Sequence, residues 1–152
     1  MNVPPPTPAQ SADAQQLKLI EIFHYVMSGL SVLGLLFLFM HYMIFYTVLN
    51  NPQVVEQMRR QAEAQKQTAV DPAVFFGAFK WFYLFFGLVI VLFLVLNLIS
   101  GLCLRARKLR TFSIVVGGIN CLFFPFGTAL GVFTLIILLR PTMPALYHEP
   151  PR

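Results

Sequence analysis

Polar and apolar residues are segregated along this chain in long blocks. Residues 20–49, 74–104 and 112–139 are almost wholly apolar, and none of these blocks has an acidic residue after Glu21. An α-helix needs about 20 residues to cross roughly 30 Å of hydrocarbon, so each block is long enough to span a bilayer. The pattern predicts an all-α protein, a polytopic transmembrane helical bundle with two long spans and a C-terminal hairpin of short helices.

Punctuation between the blocks sets the expected boundaries. Residues 1–12 hold four prolines among small polar residues and read as a disordered tail, because such a segment buries too little surface to offset chain entropy. The tail carries no basic n-region, so the first block is expected to stay as an anchor and not to be cleaved as a signal. One helical domain is expected over 13–140, starting at Asp13 as a cap, with spans at about 20–49, 73–104, 111–124 and 128–140. Asn50-Asn51-Pro52 ends the first span and opens a polar helix over about 52–68, with Asn51 as N-cap and Pro52 in the first turn. Asp71-Pro72 repeats that signal before the second span. Residues 112–139 fit either one long tilted helix or two short ones. The Pro125-Phe126-Gly127 break, followed by Thr128 as a cap, favours the hairpin. Residues 141–152 read as a flexible tail.

Charge orients the bundle. The chain is 57 % hydrophobic and 11 % charged, with a net charge of +5. Four of its cations, Arg105, Arg107, Lys108 and Arg110, fall in one short loop after the second apolar block. The positive-inside rule makes that loop cytoplasmic, which also places the N-terminus in the cytoplasm. These four residues are candidates for contact with anionic headgroups, at about 1 kcal/mol each. A nucleic-acid partner does not fit this arrangement, because the basic residues are not spread over a soluble face. At the other boundary Phe75, Phe76, Phe79, Trp81, Phe82 and Tyr83 surround Lys80, as in an interfacial aromatic belt with a snorkelling lysine.

Helices in lipid approach closely where small residues allow it and are joined by interhelical hydrogen bonds. Ser113, Gly117 and Cys121 recur at four-residue spacing in the third span, and Gly127 and Gly131 do so in the fourth. These two faces are expected to pack together, with homodimerisation through the same face as the alternative. Asn97 and Asn120 lie at matching depth, about 12–14 Å below the cytoplasmic boundary, and are expected to face each other inside the bundle.

The remaining chemistry is sparse. His24 and His41 are 17 residues apart, about 26 Å along a helix, so they cannot ligate one cofactor. Cys103 and Cys121 are not spaced for a metal, and their expected depths argue against a disulfide. No cofactor is expected. There is no mid-membrane carboxylate for coupled transport, no glycine-rich phosphate loop and no catalytic cluster, so the chain is not expected to be an enzyme.

The stretch 121–141, with its P-F-G-T-x-L-G-V-F-T run from Pro125 and its Arg140-Pro141 end, resembles a widespread group of uncharacterised small bacterial membrane proteins. Ile22-Phe23-His24-Tyr25-Val26, Gly29-Leu30 and Phe75-Phe76-Gly77 extend the resemblance. The polar insert 50–71 and the Met143-Pro144 pair depart from the group's pattern. The resemblance implies a four-helix protein of the cytoplasmic (inner) membrane with a basic loop before helix three, and no activity. The function expected is that of a non-enzymatic accessory or scaffold protein in contact with membrane lipid, as a homo-oligomer or in a larger membrane complex. The alternative is a small oligomeric transporter or channel component.

Overall fold

The computed structural model describes residues 8–64 and 72–148, and every regular element among them is a helix. Six follow one another: α1 (Pro8–Leu49), α2 (Pro52–Ala64), α3 (Pro72–Arg105), α4 (Arg110–Asn120), α5 (Phe126–Leu138) and α6 (Met143–His148). α1 and α3 are long and apolar enough to cross a membrane, over Ser11–Leu49 and Gly77–Arg105, and α5 is a shorter apolar helix. The all-α class anticipated from the block pattern is what the chain adopts.

Several boundaries differ from the expected ones, each for a local reason. α1 starts at Pro8, so residues 8–12 are helical and not tail. A proline is favourable in a first turn, where its missing N–H costs nothing. Residues 1–7 lie outside the described residues. Asn51 does cap α2, its Oδ1 accepting from the Gln53 N–H at 3.1 Å. α2 ends at Ala64; the rest of the expected helix to 68, and Asp71, lie outside the described residues. The C-terminal hairpin breaks at the Pro-x-Gly, with a cis Phe124–Pro125 bond, but α4 ends at Asn120, short of the expected 124, and α5 is displaced two residues towards the N-terminus. Thr128 is not the N-cap, because α5 begins two residues earlier. Its hydroxyl instead donates to the Cys121 carbonyl at 2.9 Å, satisfying an acceptor at the end of α4.

The C-terminal segment needs the largest correction. Residues 143–148 form α6 in place of a flexible tail, with Met143 and Leu146 buried. Residues 149–152 lie outside the described residues.

Contacts divide the chain into two compact units, the described residues of 1–30 with 93–152, and those of 31–92. In the first unit Ser28 lies against the Leu94 carbonyl and Tyr25 against Gly101, so α1 and α3 run antiparallel. α4 and α5 form an antiparallel hairpin, joined at Gly117 and Gly131 and again at Arg110 and Leu138. The apolar core combines Leu17 and Ile20 of α1, Leu104 of α3, Leu130, Ile137 and Leu138 of α5, and Met143 and Leu146 of α6. A polar clasp closes it: Arg140 donates to Asp13 at 3.1 Å and to Gln16 at 2.6 Å, and the Thr142 hydroxyl donates to Asp13 at 2.6 Å. Asp13 is therefore a buried partner of the C-terminal segment, not a helix cap.

The second unit pairs the C-terminal part of α1 with the N-terminal part of α3, and includes α2. Its centre is aromatic. Phe45 stacks on Phe79 at 5.0 Å, Tyr42 meets Tyr83 edge-on at 5.3 Å, and His41 hydrogen-bonds Tyr83. On α2 the Arg60–Glu56 and Arg59–Glu63 pairs are exposed and contribute only tenths of a kcal/mol each.

Candidate functional site

The basic turn is built by a helix end that reverses sharply. At the end of α3 the Lys108 N–H donates to the Cys103 carbonyl at 2.9 Å and the Arg107 N–H to the Leu104 carbonyl at 3.1 Å. This is a Schellman arrangement with a left-handed residue after the cap, a position that usually holds glycine. Here it is Arg107, at φ 50°, and Leu109 repeats φ 50° just before α4. Two side-chain-bearing residues in that conformation cost about 1–2 kcal/mol each. They flank Lys108 and turn the chain back within a few residues.

The four cations of this turn have different surroundings. Arg105 and Lys108 are exposed and Arg107 is half-buried, and no carboxylate pairs with any of them among the described residues. Lys108 and Leu109 border a groove of about 580 Å³ whose walls are Ile99, Leu102, Cys103 and Ala106. Arg110, expected from the sequence to face headgroups, has another role. Its guanidinium donates to the Leu138 carbonyl, from Nε at 2.8 Å and also from Nη2. The last carbonyls of a helix lack intrahelical donors and carry partial negative charge, so Arg110 caps α5 from the start of α4. Tyr147 of α6 lies within electrostatic reach of Arg110, Cys103 and Arg107. Burial pushes its phenol up to about 12, against the lowering effect of the two arginines.

Inside the first unit, Asn97 and Asn120 are both fully buried and exchange two hydrogen bonds. Asn97 Nδ2 donates to Asn120 Oδ1 at 3.1 Å, and Asn120 Nδ2 donates to Asn97 Oδ1 at 2.9 Å. Asn97 Nδ2 also reaches the Phe93 carbonyl at 3.0 Å. The small-residue faces meet as well. A Cβ added to Gly131 would collide with the Gly117 carbonyl oxygen and lie 2.6 Å from Cys121 Sγ, and one added to Gly117 would lie 3.0 Å from Thr134. Gly127 closes the turn against the Asn120 carbonyl, where a Cβ would approach to 2.7 Å. Ser113 is fully buried on the same helix as Gly117.

Sequence reasoning missed two features. His24 is fully buried, its Nδ1 bonded to the Ile20 carbonyl at 2.9 Å. The Asp13–Arg140–Thr142 clasp joins residues so far apart in sequence that only the two unlike charges hinted at it. Cys103 and Cys121 are free thiols, both half-buried. No family model, no curated protein and no solved structure matches this chain.

Proposed function

We propose that the protein is a multi-pass protein of the bacterial cytoplasmic membrane, with its N-terminus in the cytoplasm, that acts as a non-enzymatic accessory or scaffold subunit through helix packing. The observation that carries this reading is the inverted distribution of polarity. Nothing of the most apolar 18-residue window of α1, and 11 % of that of α3, is buried. Large apolar side chains such as Leu33, Phe37, Phe85 and Leu88 are more than half exposed, while Asn97, Asn120, Ser100, Ser113, Thr134 and His24 are enclosed. In water that arrangement would forgo the hydrophobic drive; in lipid it lets polar groups be shared between helices. The basic turn and Arg140 both lie in the first unit with the start of α1, which supports a cytoplasmic N-terminus. Arg105, Arg107 and Lys108, over the adjoining groove, suit contact with anionic headgroups there. Membership of the resembled group of small bacterial membrane proteins is part of the same proposal, supported by the hairpin formed at the Pro-x-Gly.

The test is extraction followed by native mass spectrometry from detergent. Resistance to alkaline carbonate and a stoichiometric complex with a larger membrane protein are expected. Release by carbonate alone overturns the membrane placement, and a closed ring of identical copies replaces the scaffold role with that of a transporter or channel component.

A further inference from the structure

The second unit holds a groove of about 330 Å³ with a graded lining. Gly87 faces Leu38 and Phe79 stacks on Phe45, so position along α3 can be read against position along α1. On that register Lys80 stands at one end, level with Phe45. The phenols of Tyr42 and Tyr83 come next, and Leu84, Phe39, Leu38 and Leu35 continue the wall. From the level of Phe45 to Leu35 is about 15 Å of helix rise. Only the Lys80 end carries charge. The ammonium has no carboxylate partner among the described residues, because the ion pairs there all lie elsewhere. The hydrogen bond between His41 and Tyr83 holds the Tyr83 ring, and Tyr42 packs edge-on against it, so the polar end of the groove is braced. A cation and two phenols at one end of an otherwise apolar trough complement an amphiphile with a negative head and a hydrocarbon chain.

We propose that this groove binds one phospholipid of net negative headgroup charge, with the phosphate on Lys80 and the upper part of an acyl chain along Leu84, Phe39, Leu38 and Leu35. The site is separate from the basic turn: its lining lies in the second unit, whereas Arg105, Arg107, Lys108 and Arg110 belong to the first. The proposal rests on the membrane placement argued above, and its test separates the two.

Trp81 is the chain's sole tryptophan, adjoins Lys80 and is 72 % exposed. Its fluorescence therefore reports which lipid occupies the groove's charged end. The full-length protein is reconstituted in phosphatidylcholine vesicles containing increasing mole fractions of either brominated phosphatidylglycerol or brominated phosphatidylcholine. The acidic lipid is expected to quench Trp81 at about one-fifth of the mole fraction needed for the neutral one, the ratio matching about 1 kcal/mol for one basic side chain at a lipid surface. Lys80→Gln should bring that ratio to about one, and Lys80→Arg should keep it. The double variant Arg105→Gln, Lys108→Gln should leave it unchanged. Equal quenching in the native protein, or a preference that survives Lys80→Gln, overturns the proposal. If neither bromolipid quenches Trp81, the membrane placement itself fails.

Discussion

Replacing Asn97 by leucine should be more damaging than replacing its partner Asn120, although the two amides share the same pair of hydrogen bonds. Among the described residues Asn120 has Asn97 as its only side-chain partner, whereas Asn97 Nδ2 also reaches the Phe93 carbonyl. Asn97→Leu thus leaves a buried amide with neither donor nor acceptor satisfied. Asn120→Leu leaves Asn97 with one donor still engaged. A stranded buried polar group costs about 1–3 kcal/mol, while interhelical bonds within membranes average nearer 0.6 kcal/mol, with a maximum of about 1.7. Taken together these place Asn97→Leu at about 2–3 kcal/mol and Asn120→Leu at about 1–2 kcal/mol. The double variant strands nothing, and leucine at both sites adds apolar contact between α3 and α4. Its cost should therefore fall below the sum of the single costs by about 1–2 kcal/mol. Equilibrium unfolding in mixed micelles, run as a double-mutant cycle, measures that coupling directly. Single effects that add to within about 0.3–0.5 kcal/mol, the behaviour of independent sites, would refute the claim that the two amides stabilise the bundle as a pair.

Three further outcomes follow from the same unit. Gly131→Ala should destabilise by about 1–3 kcal/mol or more, because its methyl meets the Gly117 and Cys121 backbones; Gly118→Ala, with nothing within 4 Å, should stabilise by up to about 1 kcal/mol in the same unfolding assay. Asp13→Ala removes the acceptor shared by Arg140 and Thr142, a loss of about 1.5–3 kcal/mol for bonds to a charged group, and should speed limited proteolysis at 143–148 severalfold while leaving α3 protected. Tyr147 should make stability fall as pH rises from about 10 towards 12. An unfolded phenol ionises near 10, but burial holds this one protonated to about 12, so in that window the folded state binds more protons and loses ground with each increment of pH. Tyr147→Phe, which also removes a buried hydroxyl without a hydrogen-bond partner among the described residues, should flatten that part of the pH–stability curve.

The long apolar helices, the Asn51 cap and the Pro-x-Gly break were legible because each depends on neighbours in sequence. The meeting of Gly117 with Gly131, and of Asn97 with Asn120, could be anticipated from spacing and depth once the hairpin was assumed. The remainder depended on partners far along the chain. Asp13 reads as a cap from its neighbours, but α1 begins at Pro8, and the docking of Arg140 and Thr142 gives the carboxylate its role. In α6, Met143, Leu146 and Tyr147 do recur at helical spacing, but six residues with Pro144 among them carry too little local preference to announce a helix. Its order comes from the burial of Met143 and Leu146 in the first unit's core. Arg110 looked like a headgroup ligand because its sequence neighbours are basic. Its carbonyl partner is 28 residues later.

The clasp between Asp13 and Arg140 joins positions 127 residues apart. At ribosomal speeds of about 5–20 residues per second, the acid emerges some 6–25 s before the guanidinium that neutralises it. Until then Asp13 lacks the partners that enclose it, so this end of the first unit can close only after nearly the whole chain has been made.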